Sequence, residues 1–427
     1  MSGGEGRTGT GGEAGASRGG ERASPDRRLA EARLALQKDL ARHLRAGHPW
    51  VFRKAVERAP RGLAAGAIVD VVEGDRFVAR GFYDPHSAIT VRILTREAAE
   101  AIDAAFWRRR VQRAMALRRE LVHGTTGYRM VHGESDGLPG VVADRYGDWA
   151  VLKLYSAGLV PHRGQIVEAL RAAGEGALRG VYGRDEVPES EEDDAAAPLG
   201  RVLWGEEPPP RIVVEEHGVR LLVDVRRGQK TGTFLDQREN RRLVRELARG
   251  RREALNCFSY TGGFSVAAAL GGARRVTSVD QDAEAIALAR DIFAENGLDP
   301  ASHGFLVDDV FDVLARLRHE GRHFDLVVCD PPAFAKSQRA VEGALAGYAS
   351  LNRAALAVLA PGGLLVTASC SARVSAEQFH DAVKEAAYKA RVELQLVEER
   401  RQPPDHPVSP QFREGRYLKC LVYRRVG

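Results

Sequence analysis

The chain has 427 residues and is 44% hydrophobic, which is typical of a globular protein with two or three domains. No apolar run is long enough to span a membrane and no signal peptide opens the sequence, so we expect no membrane partner. The net charge of +5 and the clustered arginines favour a nucleic acid over a neutral metabolite as partner. The four scattered cysteines fit neither a disulfide framework nor a metal site, which favours a reducing cytoplasm and predicts no metal.

The chain begins with a predicted disordered tail and a small strand-rich domain. Residues 1–27 are rich in Gly, Ser, Arg and Glu and contain almost nothing apolar, so they cannot bury a core. Residues 28–97 carry several strand patterns, and two of them flank Glu73-Gly74-Asp75, which predicts a hairpin turn. Together these patterns predict a β-barrel.

A middle domain of α+β type is predicted over residues 98–225. It opens with an arginine-rich helix from about Ile102 to Leu121. Residues 186–198 are acidic and alanine-rich and predict an exposed loop. The segment that follows predicts a hairpin with its turn at His217-Gly218.

Residues 226–427 alternate regularly between strand and helix patterns. Five strands are predicted at 254–258, 275–279, 305–307, 325–329 and 364–368. The predicted helices lie at 264–270, 283–296, 310–319, 341–359 and 376–390. This alternation predicts an α/β domain in which helices cover both faces of a parallel sheet. Two more strands, near 392–397 and 417–423, are joined by a proline-rich loop without a helix, which predicts an antiparallel hairpin at the sheet edge.

Small and acidic residues at three strand ends predict a cofactor site. Gly262 and Gly263 permit a tight turn and close approach of a ligand at a helix start. Asp280, after the second strand, can accept hydrogen bonds from ribose hydroxyls, and Asp309, after the third, can bond an adenine amino group. A single Asp at a strand end is often only a helix cap, so the prediction depends on such residues following three strands in succession. Because the full G-x-G-x-x-G pattern for a pyrophosphate is absent, the ligand is predicted to be S-adenosylmethionine.

Cys370 stands out among the cysteines. It lies in Ser369-Cys370-Ser371, just past an apolar strand, where open α/β sheets bind ligands. Asp330 follows a neighbouring strand, so an acid and a thiol are predicted to meet at one sheet edge. The commoner role of a single cysteine is that of a small buried hydrophobe, and Cys257, Cys329 and Cys420 are interpreted in that way.

Several segments resemble a known family. Gly47-His48-Pro49-Trp50-Val51-Phe52 looks like the opening of a PUA domain, an RNA-binding β-barrel. The strand-end acids, with Asp330-Pro331-Pro332, resemble class I S-adenosylmethionine-dependent methyltransferases. Residues 132–140 and 229–238 are similar to segments of the ribosomal RNA large subunit methyltransferase I family, which makes 5-methylcytosine in 23S ribosomal RNA. The resemblance implies a Rossmann-like domain with a mostly parallel seven-stranded sheet, preceded by the middle domain and a PUA-like barrel.

The resemblance also implies roles for individual residues. Cys370 would be the nucleophile that adds to carbon 6 of cytosine, and Asp330 would contact the base. Pro331 and Pro332 would fix the turn beside the base, and Phe334 would stack on it. The cofactor contacts would be Asp236, Arg238, Phe258, Tyr260, Gly262, Asp280, Asp309 and Asp330. Ala333 stands where many RNA 5-methylcytosine enzymes carry a second cysteine.

Two other functions stay open at this point. One is a guanine-N2 methyltransferase of ribosomal RNA, because a related family shares the glycine loop and the Asp-Pro-Pro turn but needs no nucleophilic cysteine. The other is a non-catalytic RNA-binding factor for ribosome assembly. The expected partner in each case is ribosomal RNA, free or in an assembling large subunit, and a homodimer is left open.

Overall fold

The computed structural model describes residues 29–37, 39–57, 59, 61–174, 176–184, 200–335 and 338–426. The predicted disordered tail and the acidic loop at 186–198 lie outside these residues. The domain boundaries at 97/98 and 225/226 stay predictions. Within the described residues, no helix is both long enough and apolar enough to cross a membrane.

The first sheet contains five strands. Its elements are β1 (Ala32–Ala35), α1 (Ala41–Arg45), β2 (Trp50–Phe52), β3 (Ile68–Glu73), β4 (Arg76–Tyr83) and β5 (Ile89–Thr95). The strand order is β1-β3-β4-β5-β2, and β1 pairs with β3 in parallel while the other pairs are antiparallel. The predicted hairpin is present, since β3 ends at Glu73 and Gly74 takes the left-handed conformation that a tight turn needs.

The second sheet also contains five strands, in the order β10-β9-β8-β7-β6. Its elements are α2 (Ala104–Leu121), β6 (Gly127–His132), β7 (Val141–Tyr146), β8 (Trp149–Leu154), α3 (Arg163–Ala173), β9 (Gly180–Gly183) and β10 (Arg201–Gly205). The arginine-rich helix starts two residues later than predicted because the Asp103 side chain accepts from Phe106 N and caps the first turn.

A two-stranded hairpin links this sheet to the rest of the chain. It consists of β11 (Ile212–Glu216) and β12 (Val219–Val223), with the predicted turn at His217 and Gly218. Val214 and Val223 are buried in one hydrophobic cluster with Tyr146 of β7 and Val276 of the third sheet. The hairpin therefore packs between the two larger sheets.

The third sheet has seven strands, in the order β15-β14-β13-β16-β17-β19-β18. Its strands are β13 (Glu253–Cys257), β14 (Arg275–Asp280), β15 (Gly304–Val307), β16 (Phe324–Cys329), β17 (Leu359–Ser369), β18 (Glu393–Arg400) and β19 (Lys419–Val426). Its helices are α4 (Arg238–Leu247), α5 (Gly263–Leu270), α6 (Ala283–Glu295), α7 (Val310–His319), α8 (Val341–Ala357) and α9 (Ala376–Ala390). β13 to β17 are parallel, and β19 runs antiparallel to both its neighbours, so the predicted edge hairpin is confirmed.

Alternate side chains of this sheet enter two separate cores. Ala254 and Val328 pack with α4, α5 and α6, whereas Leu255 and Val327 pack with α7, α8 and α9. The prediction of a parallel sheet covered on both faces is thus confirmed. The strand order reverses between β13 and β16, which is where open sheets of this kind bind ligands.

Candidate active site

A cavity of about 310 Å³ lies at the carboxyl ends of the parallel strands. Most of its lining comes from the segments after β13, β14, β15, β16 and β17, and the rest comes from the segment before α4, from α4 itself, from β12 and from the residue before β19. The acidic, aromatic and thiol side chains among its lining residues are Asp236, Asp280, Asp309, Asp330, Phe234, Phe258, Tyr260, Phe264 and Cys370.

The loop after β13 has an unusual backbone. Phe258, Tyr260 and Gly262 all have positive φ angles, of 58°, 47° and 75°. Such angles are costly for residues with a Cβ and persist where surrounding contacts enforce them, as at many functional sites. The Tyr260 hydroxyl accepts from Gln229 N at 2.9 Å and donates to Gly232 O at 3.3 Å, so contacts from the segment before α4 hold this loop.

The two strand-end acids are held by backbone and side-chain donors. Asp280 accepts from Tyr260 N at 2.7 Å and from Asp282 N at 3.0 Å. Asp309 caps α7 by accepting from Phe311 N at 2.8 Å, and its other oxygen accepts from Gln281 Nε2 at 2.7 Å. Asp309 therefore serves as a helix cap and also lines the cavity, whereas Asp280 keeps further lone pairs for a ligand.

Asp236 is 3% exposed, and its two carboxylate oxygens differ in their contacts. Its Oδ2 accepts from Lys230 Nζ at 2.8 Å and from the Tyr417 hydroxyl at 2.7 Å. Its Oδ1 has no hydrogen-bond partner among the residues that the structure describes. Burial opposes the charge, but Lys230 and His406 outweigh it and hold the pKa of Asp236 well below its usual range. The cavity thus contains an ionised carboxylate that suits a cationic ligand group.

Asp330 and Cys370 line the same cavity and both have raised pKa values. Burial, and then the nearby charge of Asp236, raise the pKa of Asp330 to about 7. Burial, and then the charge of Asp330, raise the pKa of the Cys370 thiol to about 11, although Lys230 and Lys419 act in the opposite direction. With only protein groups around it, the thiol is therefore protonated at neutral pH, while Asp330 is close to half-protonated.

Most of the predicted site residues line the cavity, including Pro331 and Pro332, but three do not. Gly262 is the first of these: it forms the N-terminal cap of α5, directly before the cavity residue Gly263. Arg238 points into a buried ion pair with Asp405, away from the cavity. Phe334 is the third, and its ring packs against Tyr348, with centroids 4.8 Å apart.

The remaining cysteines are enclosed in the core. Cys257, Cys329 and Cys420 are each at most 1% exposed, whereas Cys370 is half-buried. Cys257 and Cys329 face each other across β13 and β16. Of the four thiols, Cys370 alone is placed to meet a ligand.

Sequence reasoning missed several residues of the cavity wall. Lys230 and Gln237 lie within the motif segment at 229–238 and reach the cavity beside Asp236 and Asp330. Leu418 also lines the wall, and its neighbour Tyr417 bonds Asp236 from 181 positions away. Position within a recognised motif was a usable signal for the first two, whereas no local pattern marks the last two.

Comparisons with known proteins agree with this architecture. A family model described as S-adenosylmethionine-dependent methyltransferase matches residues 195–424, and a model for a PUA-like domain matches residues 34–96. The fold and the cavity thus define an S-adenosylmethionine-dependent methyltransferase of class I with an N-terminal PUA-like domain.

Two relatives narrow the class further. The ribosomal RNA large subunit methyltransferase I of Shewanella denitrificans is 43% identical over 92% of this chain and 99% of its own length. The protein of the same name from Klebsiella pneumoniae is 42% identical over 92% of this chain and 98% of its own. The chain belongs to the ribosomal RNA large subunit methyltransferase I family.

Solved structures support the cofactor. A protein from Streptococcus mutans, assigned as an S-adenosylmethionine-dependent methyltransferase, superposes with a TM-score of 0.79 at 26% identity and covers 92% of this chain and 100% of its own. A second structure with the same scores, also assigned as a methyltransferase, is a complex with SAH, the demethylated form of the cofactor. The cofactor of this protein is S-adenosylmethionine.

Proposed function

We propose that the protein transfers a methyl group to carbon 5 of a cytosine in 23S ribosomal RNA through a covalent adduct with Cys370. The observation that carries the proposal is the shared cavity of Cys370 and Asp330, beside the strand-end acids Asp280 and Asp309. The name of the relatives, which specifies the RNA of the large ribosomal subunit, supports the substrate.

The cavity offers a matching group for each part of the cofactor. Asp280 would accept hydrogen bonds from the ribose hydroxyls, and Asp309 lies one strand further, on the adenine side. The unpartnered oxygen of Asp236 suits the ammonium of the methionine part. When bound, S-adenosylmethionine supplies an electrophilic methyl group.

Addition of the Cys370 thiolate would make carbon 5 of cytosine nucleophilic. The thiolate electron pair forms a bond to carbon 6, and carbon 5 becomes an enamine-type nucleophile. Carbon 5 would then bond to the methyl carbon, and the bond from that carbon to the cofactor sulfur would break and leave SAH. A base then removes the carbon 5 proton, the Sγ–carbon 6 bond breaks, and the thiolate and the aromatic ring are restored. Covalent catalysis of this kind divides one difficult substitution into easier steps.

Asp330 is suited to hold the base during this reaction. With its pKa raised to about 7, a large fraction of the carboxyl carries a proton at neutral pH. The protonated form donates a hydrogen bond to N3 of cytosine and so disperses the charge that develops as the thiolate adds. Pro331 and Pro332, on the same turn, limit the movement of the carboxyl group.

The target base must leave its stack to reach this cavity, since enzymes that modify a base take it out of the helix or act on single strands. Single-stranded or loop RNA is therefore the proposed form of the substrate, with the PUA-like domain as a second RNA contact. A homodimer and a location in the cytoplasm stay predictions.

The test compares Cys370→Ala with Cys420→Ala, which removes a thiol enclosed in β19. Methyl transfer to ribosomal RNA is followed with labelled S-adenosylmethionine, and the product is mapped by mass spectrometry. Cys370→Ala should abolish the formation of 5-methylcytosine while SAH binding by calorimetry is retained, and Cys420→Ala should keep activity.

Each other outcome selects a different function. Retained transfer by Cys370→Ala, with the methyl group on guanine N2, would establish the guanine methyltransferase and contradict the covalent mechanism. Retained SAH binding by the wild-type protein without methyl transfer to any base of ribosomal RNA would instead favour a non-catalytic assembly factor.

A further inference from the structure

Tyr348 holds the residues on both sides of Cys370 by hydrogen bonds. Ser369 and Ser371 are at most 1% exposed, and Tyr348 of α8 lies between their hydroxyls. Ser369 Oγ donates to the Tyr348 hydroxyl at 3.0 Å, and Ser371 Oγ shares a hydrogen bond with the same hydroxyl at 3.0 Å. Only the middle residue of Ser-Cys-Ser therefore faces the cavity.

A buried lysine holds the same turn from the other side. Lys419, the first residue of β19, is 3% exposed and lies opposite Ser369 in the β17–β19 register. Its ammonium donates to Ser371 O at 2.7 Å, to Val374 O at 2.9 Å and to Tyr417 O at 2.9 Å. The three protons of the ammonium are thus directed at three backbone carbonyls around the Cys370 turn.

Lys419 is buried, yet its hydrogen bonds within the described part of the chain go to backbone carbonyls. Among the described residues, no carboxylate forms an ion pair with its ammonium, in contrast to Lys230, whose ammonium bonds Asp236. A buried charge without a counter-charge is costly, and burial accordingly lowers the pKa of Lys419 to about 8. The ionisable group next to its hydrogen-bonded turn is the Cys370 thiol.

We propose that Lys419 is a positioning residue that serves as the buried counter-charge of the Cys370 thiolate, while Tyr348 fixes the turn without contributing charge. This inference rests on the proposed role of Cys370 as nucleophile. Lys419 holds the turn in place by its hydrogen bonds, and its charge favours the ionised thiol that must form before the sulfur can add to carbon 6.

Other charges around Cys370 act at the same time and are unchanged by a substitution at Lys419. Lys230 also favours the thiolate, whereas Asp330 and Asp236 oppose it. The groups that affect Lys419 are Cys370 and Arg401. The effect of Lys419 is therefore measured best as a difference between variants that leave these groups intact.

The test measures ionisation of the thiol directly. The rate at which iodoacetamide alkylates Cys370 is followed by peptide mass spectrometry from pH 6 to 10 in wild type, Lys419→Gln and Tyr348→Phe. Gln retains donors for the carbonyls but removes the charge, so it should slow alkylation about tenfold at pH 7, where Lys419 is charged. The rates of the two proteins should converge as the pH rises above about 8, because Lys419 of the wild type then loses its proton. Tyr348→Phe breaks the hydroxyl bonds to both serines and should leave the alkylation rate unchanged at each pH.

An unchanged alkylation rate in Lys419→Gln at pH 7 would overturn the proposal, and so would equal slowing in both variants, which would indicate displacement of the turn. SAH binding checks that each variant is folded, and Lys419→Met replaces Gln if that variant fails this check. The readout does not depend on catalysis, so retained methylation by Cys370→Ala would end the proposed function without altering the measured alkylation rates.

Discussion

Arg238 and Asp405 form a two-bond ion pair with both side chains at most 1% exposed, although they are 167 positions apart. The bonds run from Nη1 to Oδ2 at 2.9 Å and from Nη2 to Oδ1 at 2.8 Å. Arg129 N of the middle sheet also donates to Asp405 Oδ2, and Arg118 donates to Asp405 O. This single acid therefore joins α4, α2, β6 and the loop before β19.

Asp405→Asn should destabilise the protein by about 3 kcal/mol or more, because it removes the carboxylate that both Nη atoms of the buried Arg238 bond and leaves only Glu239, at Nε, as an ion-pair partner. Urea titration with tryptophan fluorescence measures the change in the free energy of unfolding. Glu206→Gln, at the exposed pair with Arg179, is the control and should cost at most about 0.5 kcal/mol. Equal changes in the free energy of unfolding for the two substitutions would show that burial does not strengthen the Arg238–Asp405 pair.

The same pair predicts a dependence on pH. Burial opposes the charge of Asp405, but His406 and Arg238 outweigh it and lower its pKa below the unfolded value. The contribution is then complete above the unfolded pKa of about 4 and is lost as the pH falls towards the folded value. The difference in stability between wild type and Asp405→Asn should therefore shrink below about pH 4, and a constant difference would contradict this assignment.

Local patterns were sufficient for most of the catalytic domain. The helices over Val310–His319 and Ala376–Ala390 have their predicted bounds, since Asp309 and Ser375 cap them at residues that the sequence displays. The predicted helix at 341–359 ends instead at Ala357, because Leu359 already begins β17 and pairs with Phe324. The strand-end acids were found for the same local reason, as parallel strands end at one edge.

The contacts that complete the site could not be found in this way. Tyr417 meets Asp236, and Arg238 turns away from the cavity, only because the loop before β19 crosses to the middle sheet. No periodicity or turn signal encodes such a crossing, which depends on how separate units pack. Lys419 is a similar case, since its sequence context is that of an ordinary edge-strand residue.

Asp280→Asn should weaken SAH binding about tenfold, which corresponds to about 1.4 kcal/mol. The amide keeps one acceptor but loses the charge and the second acceptor that a ribose diol needs. Isothermal titration calorimetry measures the affinity, and Asp291→Asn on the exposed side of α6 is the control. Equal affinities would place the ribose elsewhere in the cavity.

Gly262→Ala should cost about 1 to 2 kcal/mol more than Gly297→Ala. Both glycines have left-handed backbones, with φ of 75° and 73°. A Cβ at Gly262 would lie 2.9 Å from the Cβ of Ala289, whereas nothing lies within 4 Å at Gly297. Thermal unfolding and SAH affinity are measured together, and only Gly262→Ala should also lower the affinity. Matching losses in the two variants would mean that the α5–α6 contact is not tight.

Asp330→Asn should gain stability relative to wild type as the pH rises from 5 to 8. The folded pKa of about 7 lies above the unfolded value of about 4, so the folded state binds more protons in this window and wild-type stability falls with rising pH. At pH 8 the variant should gain about 2 kcal/mol in its free energy of unfolding relative to wild type. This is less than the pKa shift alone would give, because solvent in the open cavity screens the carboxylate. Urea midpoints at several pH values measure it, with the exposed Asp381→Asn as control.

The raised pKa of Asp330 also predicts the shape of the reaction profile. If the protonated carboxyl donates to N3, the single-turnover rate should fall as the pH rises through about 7, after allowance for thiol ionisation, which acts in the opposite direction. Asp330→Asn keeps a donor but does not titrate, so its rate should rise with pH throughout, because the Cys370 thiol is then the titrating group. A wild-type profile that only rises, parallel to that of the variant, would show that Asp330 acts as an ionised acceptor for the exocyclic amine.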